Sequence, residues 1–148
     1  MTKEEVEELI VQSKCRRRTW PLEPPGASAW QDAVSRIGCA ISPDYRILFE
    51  VSLLYWVGFD LFGPLCDALA EGYVSFIDIY HDEMSNNPRW DAKMLPICAV
   101  GNGDYVALLL EASWAEKVYY IYHEDGHAEL LNHRVEEWIR DLPGQWLR

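Results

Sequence analysis

Two histidines in the C-terminal third of the chain stand in a pattern that can bind zinc. The run His123-Glu124-Asp125-Gly126-His127 matches the H-E-x-x-H motif of zinc proteases. In that chemistry two imidazoles one helical turn apart bind the metal, and the glutamate between them holds the attacking water. A zinc site of this kind therefore requires an α-helix through the whole motif.

The residues within and before the motif favour a β-hairpin over that helix. Asp-Gly is a poor helical pair, since Gly costs about 1 kcal/mol relative to Ala. Residues 119–123 are Tyr, Tyr, Ile, Tyr and His, which are typical of a strand. A two-residue turn would point His123 and His127 to opposite faces, whereas a three-residue loop with a bulge could bring them together. We predict a hairpin without catalytic zinc, with these histidines as metal ligands only if the segment is helical.

Other patterns that could support catalysis have a simpler structural interpretation. Gly101-Asn102-Gly103 is glycine-rich, but no phosphate-binding motif follows it, and Asn-Gly between apolar runs predicts a type I′ hairpin turn. His81 with Asp78 and Asp82 could form an acid/base cluster, although the pattern places them on the solvated side of a helix. No serine lies in a nucleophile elbow. We therefore predict no enzyme activity, no catalytic residue and no cofactor.

The charge of the chain restricts its partners. Among 148 residues there are 24 acidic and 13 basic side chains, for a net charge of −11. Residues 1–20 are nearly balanced, so the excess of negative charge lies in residues 21–148. Such a surface repels phosphate backbones and attracts basic proteins, although it can also serve solubility alone. We predict no nucleic-acid partner.

Length and composition indicate one cytoplasmic globular domain. A chain of this size buries a substantial core, and no apolar run approaches the roughly 18 residues of a membrane span. The first residues are too acidic for a secretory signal, so we expect a soluble, intracellular protein that has no membrane contact. The four dispersed cysteines are then expected to be reduced thiols.

The periodicity predicts helices first and strands later. Thr2 and Glu5 form a capping box for a first helix that ends near the Lys14–Arg18 run, and prolines follow; we assign residues 1–27 to a helical appendage with a Pro-rich loop. Residues 28–148 are predicted to form a single domain. Its helices are expected to begin at Ser28 (as N-cap), at Ser42-Pro43, at Pro64 and at Ser75.

After Trp90 the pattern changes to that of strands. Residues 94–100, 104–111, 117–123 and 127–131 are apolar or β-branched runs separated by turns, and a helix capped by Asn132 follows until Pro143-Gly144. This order predicts an α+β fold, in which an antiparallel meander of about four strands packs against the helices on one face.

The tryptophans separate into two predicted groups. Trp30, Trp56 and Trp138 lie on apolar helical stripes and are expected in the core. Strand residues 106–110 and 118–122 are apolar on both faces, so part of the sheet could face a partner or be covered by the appendage. Other tryptophans lie beside loops and acidic residues, and we predict a partner-binding face from them and nearby carboxylates: Asp78, Asp82, Trp90, Asp91, Trp114 and Glu116.

Several of these motifs, in this order, resemble the SUKH superfamily. They are the Ile41–Tyr45 helix start, Trp90 before an apolar strand, Gly103-Asp104 at the head of the next strand, and a closing helix with Trp138 and Leu142. The resemblance runs from about Ala29 to Leu142. Residues 1–27 have no counterpart in it, and the usual Asn-Gly after the second core helix is missing.

The resemblance implies a non-enzymatic protein-binding role. Many bacterial members of that superfamily are immunity proteins that bind and neutralise polymorphic toxins, often nucleases, and fungal relatives regulate cell-wall assembly and signalling. For this acidic chain we therefore expect an immunity protein whose partner is a basic toxin domain. A regulatory scaffold is the alternative, and a zinc hydrolase that uses the H-E-D-G-H run is a more distant one.

Overall fold

A computed structural model describes residues 1–64, 74–111 and 114–145. Five α-helices lie within these ranges. They are α1 (Lys3–Gln12), α2 (Ala27–Ile37), α3 (Pro43–Ser52), α4 (Phe76–Asn86) and α5 (Val135–Gln145).

Nine strands in the same ranges form three sheets. The main sheet has five antiparallel strands in the order β4-β5-β6-β8-β9, which are β4 (Asp60–Leu61), β5 (Met94–Ala99), β6 (Tyr105–Leu109), β8 (Val118–Ile121) and β9 (Ala128–Asn132). The predicted α+β fold and its C-terminal meander are confirmed, and β4 adds one short strand to the predicted four. Two small pairs complete the set: antiparallel β1 (Arg16–Arg17) with β3 (Tyr55–Trp56), and parallel β2 (Ala40–Ile41) with β7 (Trp114–Ala115).

Three helix starts lie where the sequence predicts them. Thr2 and Glu5 form a reciprocal capping box at α1. Ser42 accepts a hydrogen bond from the Asp44 N–H with Pro43 in the first turn of α3, and Ser75 accepts one from the Ile77 N–H at α4.

Three predicted helix boundaries are wrong. The second helix begins at Ala27 with Gly26 as N-cap, so Ser28 is already helical. Asn132 is the last residue of β9 rather than a helix cap. Helix α5 also continues through Pro143 to Gln145. Proline lacks an N–H and costs the helix one hydrogen bond, but burial of the whole apolar stripe of α5 offsets this loss.

The core predictions hold for two of the three tryptophans. Trp30 and Trp138 are buried, but Trp56 lies in β3, outside α3, and is 52% exposed. The apolar spacing of the helix that begins at Ser75 also predicts an inward position for Met84, which is wrong, because Met84 is exposed near the C-terminal end of α4. Both misplaced residues lie at or beyond the end of the helix whose stripe was extrapolated to them.

Two further predictions concern local segments. The predicted helix from Pro64 to Glu71, closed by Gly72, lies almost entirely outside the described residues, as do Ala112 and Ser113 of the predicted short turn. The loop at residues 101–103 is a turn, but not of type I′, because Gly101 and Gly103 have positive φ and Asn102 does not. Instead, the Asn102 side chain accepts a hydrogen bond from the Asp104 N–H at 3.0 Å.

The two faces of the main sheet bury different sets of side chains. One face packs on the helices, with Leu95, Leu108 and Val118 in the main core. Helix α1 packs on α3 and α5 in this same core through Val6 and Ile10, and so the first helix does not cover the opposite face. The division of the chain at residue 27 stays a prediction.

On the opposite face Met94, Ala107 and Ile121 form a smaller buried cluster. Its cover comes from side chains of the sheet itself and from Trp90, which packs against it. The strands are apolar on both faces because this second face also has buried side chains, which the sheet and Trp90 cover.

Within the described residues, no helix is both long and apolar enough to cross a membrane. Cys15, Cys39 and Cys98 are free thiols there, and burial raises the pKa of Cys98 well above its usual range. Cys66 lies outside the described residues.

Candidate functional site

The H-E-D-G-H run is a hairpin loop between β8 and β9, and the predicted chain reversal is confirmed. The Gly126 N–H donates to the Tyr122 carbonyl at 2.9 Å, and the Tyr122 N–H donates to the His127 carbonyl at 2.9 Å. Gly126 has φ 74°, a left-handed conformation that favours glycine. The loop has four residues, 123–126, which is longer than either geometry the sequence suggested. The helix that a zinc protease motif needs is therefore replaced by a turn.

The two imidazoles of the motif have different neighbours. His123 Nδ1 lies 2.5 Å from an oxygen of Asp104, whereas the His127 ring stacks on Tyr122 with centroids 5.8 Å apart. In the described ranges, no three or more His, Cys, Asp and Glu side chains group so as to hold a metal ion.

Asp104 is the buried polar residue that holds this loop in place. Asp104 is only 5% exposed. Its carboxylate accepts hydrogen bonds from the Tyr120 hydroxyl at 2.6 Å and from the His123 N–H at 2.8 Å, and it also contacts the His123 imidazole. Burial acts to raise the pKa of Asp104, but these hydrogen bonds outweigh it and lower the pKa to about 2. The carboxylate is therefore charged at neutral pH and can only accept, so His123 Nδ1 carries the proton.

The loop at residues 123–126 contacts the segment that follows α4. The Arg89 guanidinium donates to the Glu124 carbonyl, although these residues are 35 positions apart. A Cβ on Gly126 would lie 3.0 Å from Arg89 Cβ and 3.1 Å from its carbonyl oxygen, so a larger residue would fit only if Arg89 moved, and glycine favours this close approach. The hairpin loop and the residues after α4 thus form one continuous surface.

Trp90 lies in this surface and is fixed by its neighbours. Its ring packs edge-on to Tyr105, with centroids 5.6 Å apart, and its Nε1 donates to the Met94 carbonyl at 3.1 Å. The Tyr105 hydroxyl in turn donates to Glu83 of α4 at 3.0 Å. The partly exposed indole is therefore held in one orientation, as an interface anchor requires.

Exposed carboxylates occur on the elements next to this tryptophan. Asp78 and Asp82 lie one turn apart on α4, and Asp91 follows Trp90 and accepts a hydrogen bond from the Lys93 N–H. The loop contributes two more carboxylates. We call this region the acidic surface, and it consists of Asp78, Asp82, Trp90, Asp91, Glu124 and Asp125.

Two of the six residues predicted to bind a partner lie on other elements. Trp114 is 42% exposed and belongs to β7, where it is paired with Ala40. Glu116 is half-buried, and its carboxylate accepts a hydrogen bond from the Val135 N–H at 3.0 Å, which caps α5. Asp78 and Asp82 lie on α4, and Trp90 and Asp91 lie in the segment that follows it. Partner binding by all six residues stays a prediction.

Sequence reasoning missed Glu124 and Asp125 as parts of this surface. Both lie within the run that matches the zinc-protease motif, and that motif gives no indication that they are exposed charges. The Asp-Gly turn itself was a signal of exposure. The contact with Arg89, which places the loop beside Trp90, depends on the strand order of the sheet. No pattern of neighbouring residues in the sequence indicates it.

Comparison with known proteins gives one match. The model of the SMI1 / KNR4 family (SUKH-1) matches residues 24–141, which is most of the chain. No curated protein matched the chain. No solved structure matched it either.

Proposed function

Because this chain belongs to the SMI1/KNR4 family (SUKH-1), we propose that it is a non-enzymatic, cytoplasmic immunity protein that binds and neutralises a basic toxin domain. The family supports a protein-binding role, and the resemblance noted in the sequence links its bacterial members to toxin neutralisation. The observation that carries the proposal for this chain is the acidic surface, where a fixed tryptophan lies next to elements that carry exposed carboxylates.

The charges of this surface favour a basic protein partner. Five carboxylates lie in it, and the nearby cations are Arg89, whose guanidinium donates to the Glu124 carbonyl, and Lys93. The net charge of −11 adds a longer-range attraction to a basic domain and a repulsion of nucleic acid. Complementary charge raises the association rate, and a well-packed aromatic anchor slows dissociation.

The toxin need not meet a catalytic group of this chain to be neutralised. A domain that covers the substrate site of a nuclease, or competes with the phosphate backbone for its cations, blocks it by occupancy alone. The acidic surface offers carboxylates in place of phosphates, and Trp90 and the adjacent face of the sheet offer apolar contact. This mechanism requires no cofactor.

Reversing three exposed charges in the acidic surface is expected to slow capture of the toxin domain. The variant Asp78→Lys, Asp82→Lys, Glu124→Lys replaces carboxylates whose loss leaves the Asp104 and Glu116 hydrogen bonds intact. We expect the association rate constant to fall on the order of tenfold at low salt, because steering is lost, and the difference to shrink as salt is added. Stopped-flow mixing at several ionic strengths measures this.

A matched variant separates local charge from net charge. Glu8→Lys, Glu23→Lys, Glu137→Lys changes the net charge by the same amount at exposed positions of α1, the loop after it and α5. Its association rate should fall by less than about threefold. Equal slowing in both variants would show that the acidic surface has no special part in capture.

Co-expression tests neutralisation itself. The toxin gene is expected directly upstream of this one, and its C-terminal domain should arrest growth when produced alone in bacteria. Producing this chain in the same cells should restore growth, and the charge-reversal variant should restore it less well at equal expression. Binding without rescue would favour a regulatory scaffold instead, and stoichiometric zinc in the purified protein would contradict the non-enzymatic proposal.

A further inference from the structure

A basic, aromatic patch lies on the β1–β3 ribbon of this otherwise acidic protein. Four of the 13 basic residues occur between Lys14 and Arg18. Trp20, two residues further on, is 86% exposed, and Trp56 of β3 is also largely in solvent. We call this patch the basic ribbon, and it consists of Lys14, Arg16, Arg17, Arg18, Trp20 and Trp56.

The ribbon is held in a defined shape by its pairing with the chain after α3. Arg16 pairs with Trp56 across the two strands, and the Arg18 N–H donates to the Leu54 carbonyl at 2.8 Å. The Arg18 guanidinium lies 4.1 Å from the centroid of the Trp56 ring, and its Nε donates to the Tyr55 carbonyl at 3.1 Å. Arg16, Arg17 and Trp56 therefore lie on paired strands, and Arg18 is fixed against them.

Trp20 and Trp56 are far more exposed than the core tryptophans Trp30 and Trp138. A tryptophan carries a large apolar surface, and tryptophan is enriched among the residues that dominate the binding energy of interfaces. Val11, at the end of α1, adds a third exposed apolar side chain next to Lys14. Apolar groups and cations thus occur together on the ribbon, whereas the acidic surface combines apolar groups with anions.

We propose that the basic ribbon is a second binding surface and that it takes a short acidic peptide segment. Guanidinium groups bind carboxylates in paired hydrogen bonds, and the indoles can cover the methylene groups of the same side chains. The proposal is independent of the toxin assignment, because it concerns a different surface of opposite charge.

The neighbours of the ribbon limit the size of the ligand. A carboxylate oxygen of Glu7 lies 4.0 Å from the Arg17 guanidinium and accepts a hydrogen bond from the Tyr55 hydroxyl at 2.7 Å. A long phosphate polymer would extend past the ribbon to this carboxylate and to the acidic body beyond it, which repels it. A short peptide can contact the cations alone, so charge complementarity favours the peptide over nucleic acid.

Titration with a short oligoglutamate peptide tests the proposal. Binding should shift the indole N–H resonances of Trp20 and Trp56 in an NMR spectrum of the full chain. Two variants, Arg16→Glu and Trp20→Ala, should each weaken binding by about five- to tenfold at low salt, because one removes a charge contact and the other an apolar one. Both residues are exposed, so the fold should be retained.

Matched variants and a second ligand make the test decisive. Lys3→Glu and Leu130→Ala also reverse a charge and remove an apolar side chain at exposed positions, and they should alter the affinity less than about twofold. Absent indole shifts, or equal weakening by these controls, would overturn the proposal. A single-stranded oligothymidylate of equal charge that bound more tightly than the peptide would overturn it in favour of nucleic acid.

Discussion

Replacing Asp104 with asparagine is expected to lower the free energy of unfolding by about 2 kcal/mol at pH 7, and by progressively less at acidic pH. The pKa of Asp104 is lowered from 3.8 to about 2 in the folded protein. A depressed pKa means that the charged form stabilises the fold above the unfolded value, and that this stability is lost as pH falls from about 4 towards 2. The shift corresponds to roughly 2 kcal/mol.

Urea unfolding of both proteins at pH 7, 4 and 3 measures the difference. The gap between wild type and Asp104→Asn should narrow at the lower pH values, since Asp104 becomes protonated in the wild type. Glu124→Gln, which alters an exposed carboxylate of the adjacent loop, serves as the control and should change stability by less than about 0.5 kcal/mol. A gap that stays constant with pH would show that the charge of Asp104 is not what stabilises the hairpin.

This variant also bears on the proposed function. Asp104 holds the backbone of His123 at one end of the loop, and that loop carries Glu124 and Asp125. Loosening the loop should weaken toxin capture even under conditions where the rest of the domain is folded. Amide hydrogen exchange limited to the loop and the adjoining strand ends would show this local effect.

Replacing Gly63 with alanine is expected to lower the free energy of unfolding by about 2–3 kcal/mol, because the core has no room for the added methyl group. An ideal Cβ at Gly63 would lie 2.3 Å from Cζ and 2.7 Å from Cε1 of Phe49. Phe49 is buried and packs edge-on to Trp30, with centroids 5.9 Å apart. The Gly63 carbonyl accepts a hydrogen bond from the Phe76 N–H, so the backbone also resists movement.

Chemical denaturation with a double-mutant cycle tests this cause. Phe49→Leu alone should destabilise the fold, but Gly63→Ala should cost less in that background, because the smaller side chain leaves space for the methyl group. The control is Gly144→Ala in α5, where the new Cβ would face open space, and it should be neutral or stabilise by up to about 1 kcal/mol. Additive losses in the cycle would contradict the steric explanation.

The sequence predicts the elements of this fold well where the signal is local. Ser42-Pro43 begins α3 and the Asp-Gly pair reverses the chain after β8, because capping and turn preferences depend on a few adjacent residues. The apolar stripe of α5 is buried as its spacing indicates. In each case the preference depends on residues that lie close together in the sequence.

What the sequence does not predict depends on contacts between distant residues. Trp56 reads as an extension of the α3 stripe, but α3 ends at Ser52 and Trp56 pairs with Arg16 instead. Glu116 reads as a surface charge, but its carboxylate caps α5, 19 residues later. The acidic surface itself requires Arg89 to meet Glu124, and that meeting follows from strand order rather than from any motif.

The packing of α1 against α5 has a consequence for synthesis in the cell. Arg140 of α5 donates a hydrogen bond to Glu5 of α1 across 135 positions of sequence, and Val6 and Ile10 are buried in the core that both helices share. Translation proceeds at roughly 5–20 residues per second, so these apolar groups wait several seconds or more for their cover. Throughout that interval Val6 and Ile10 of α1 lack the C-terminal helix that covers them in the folded protein.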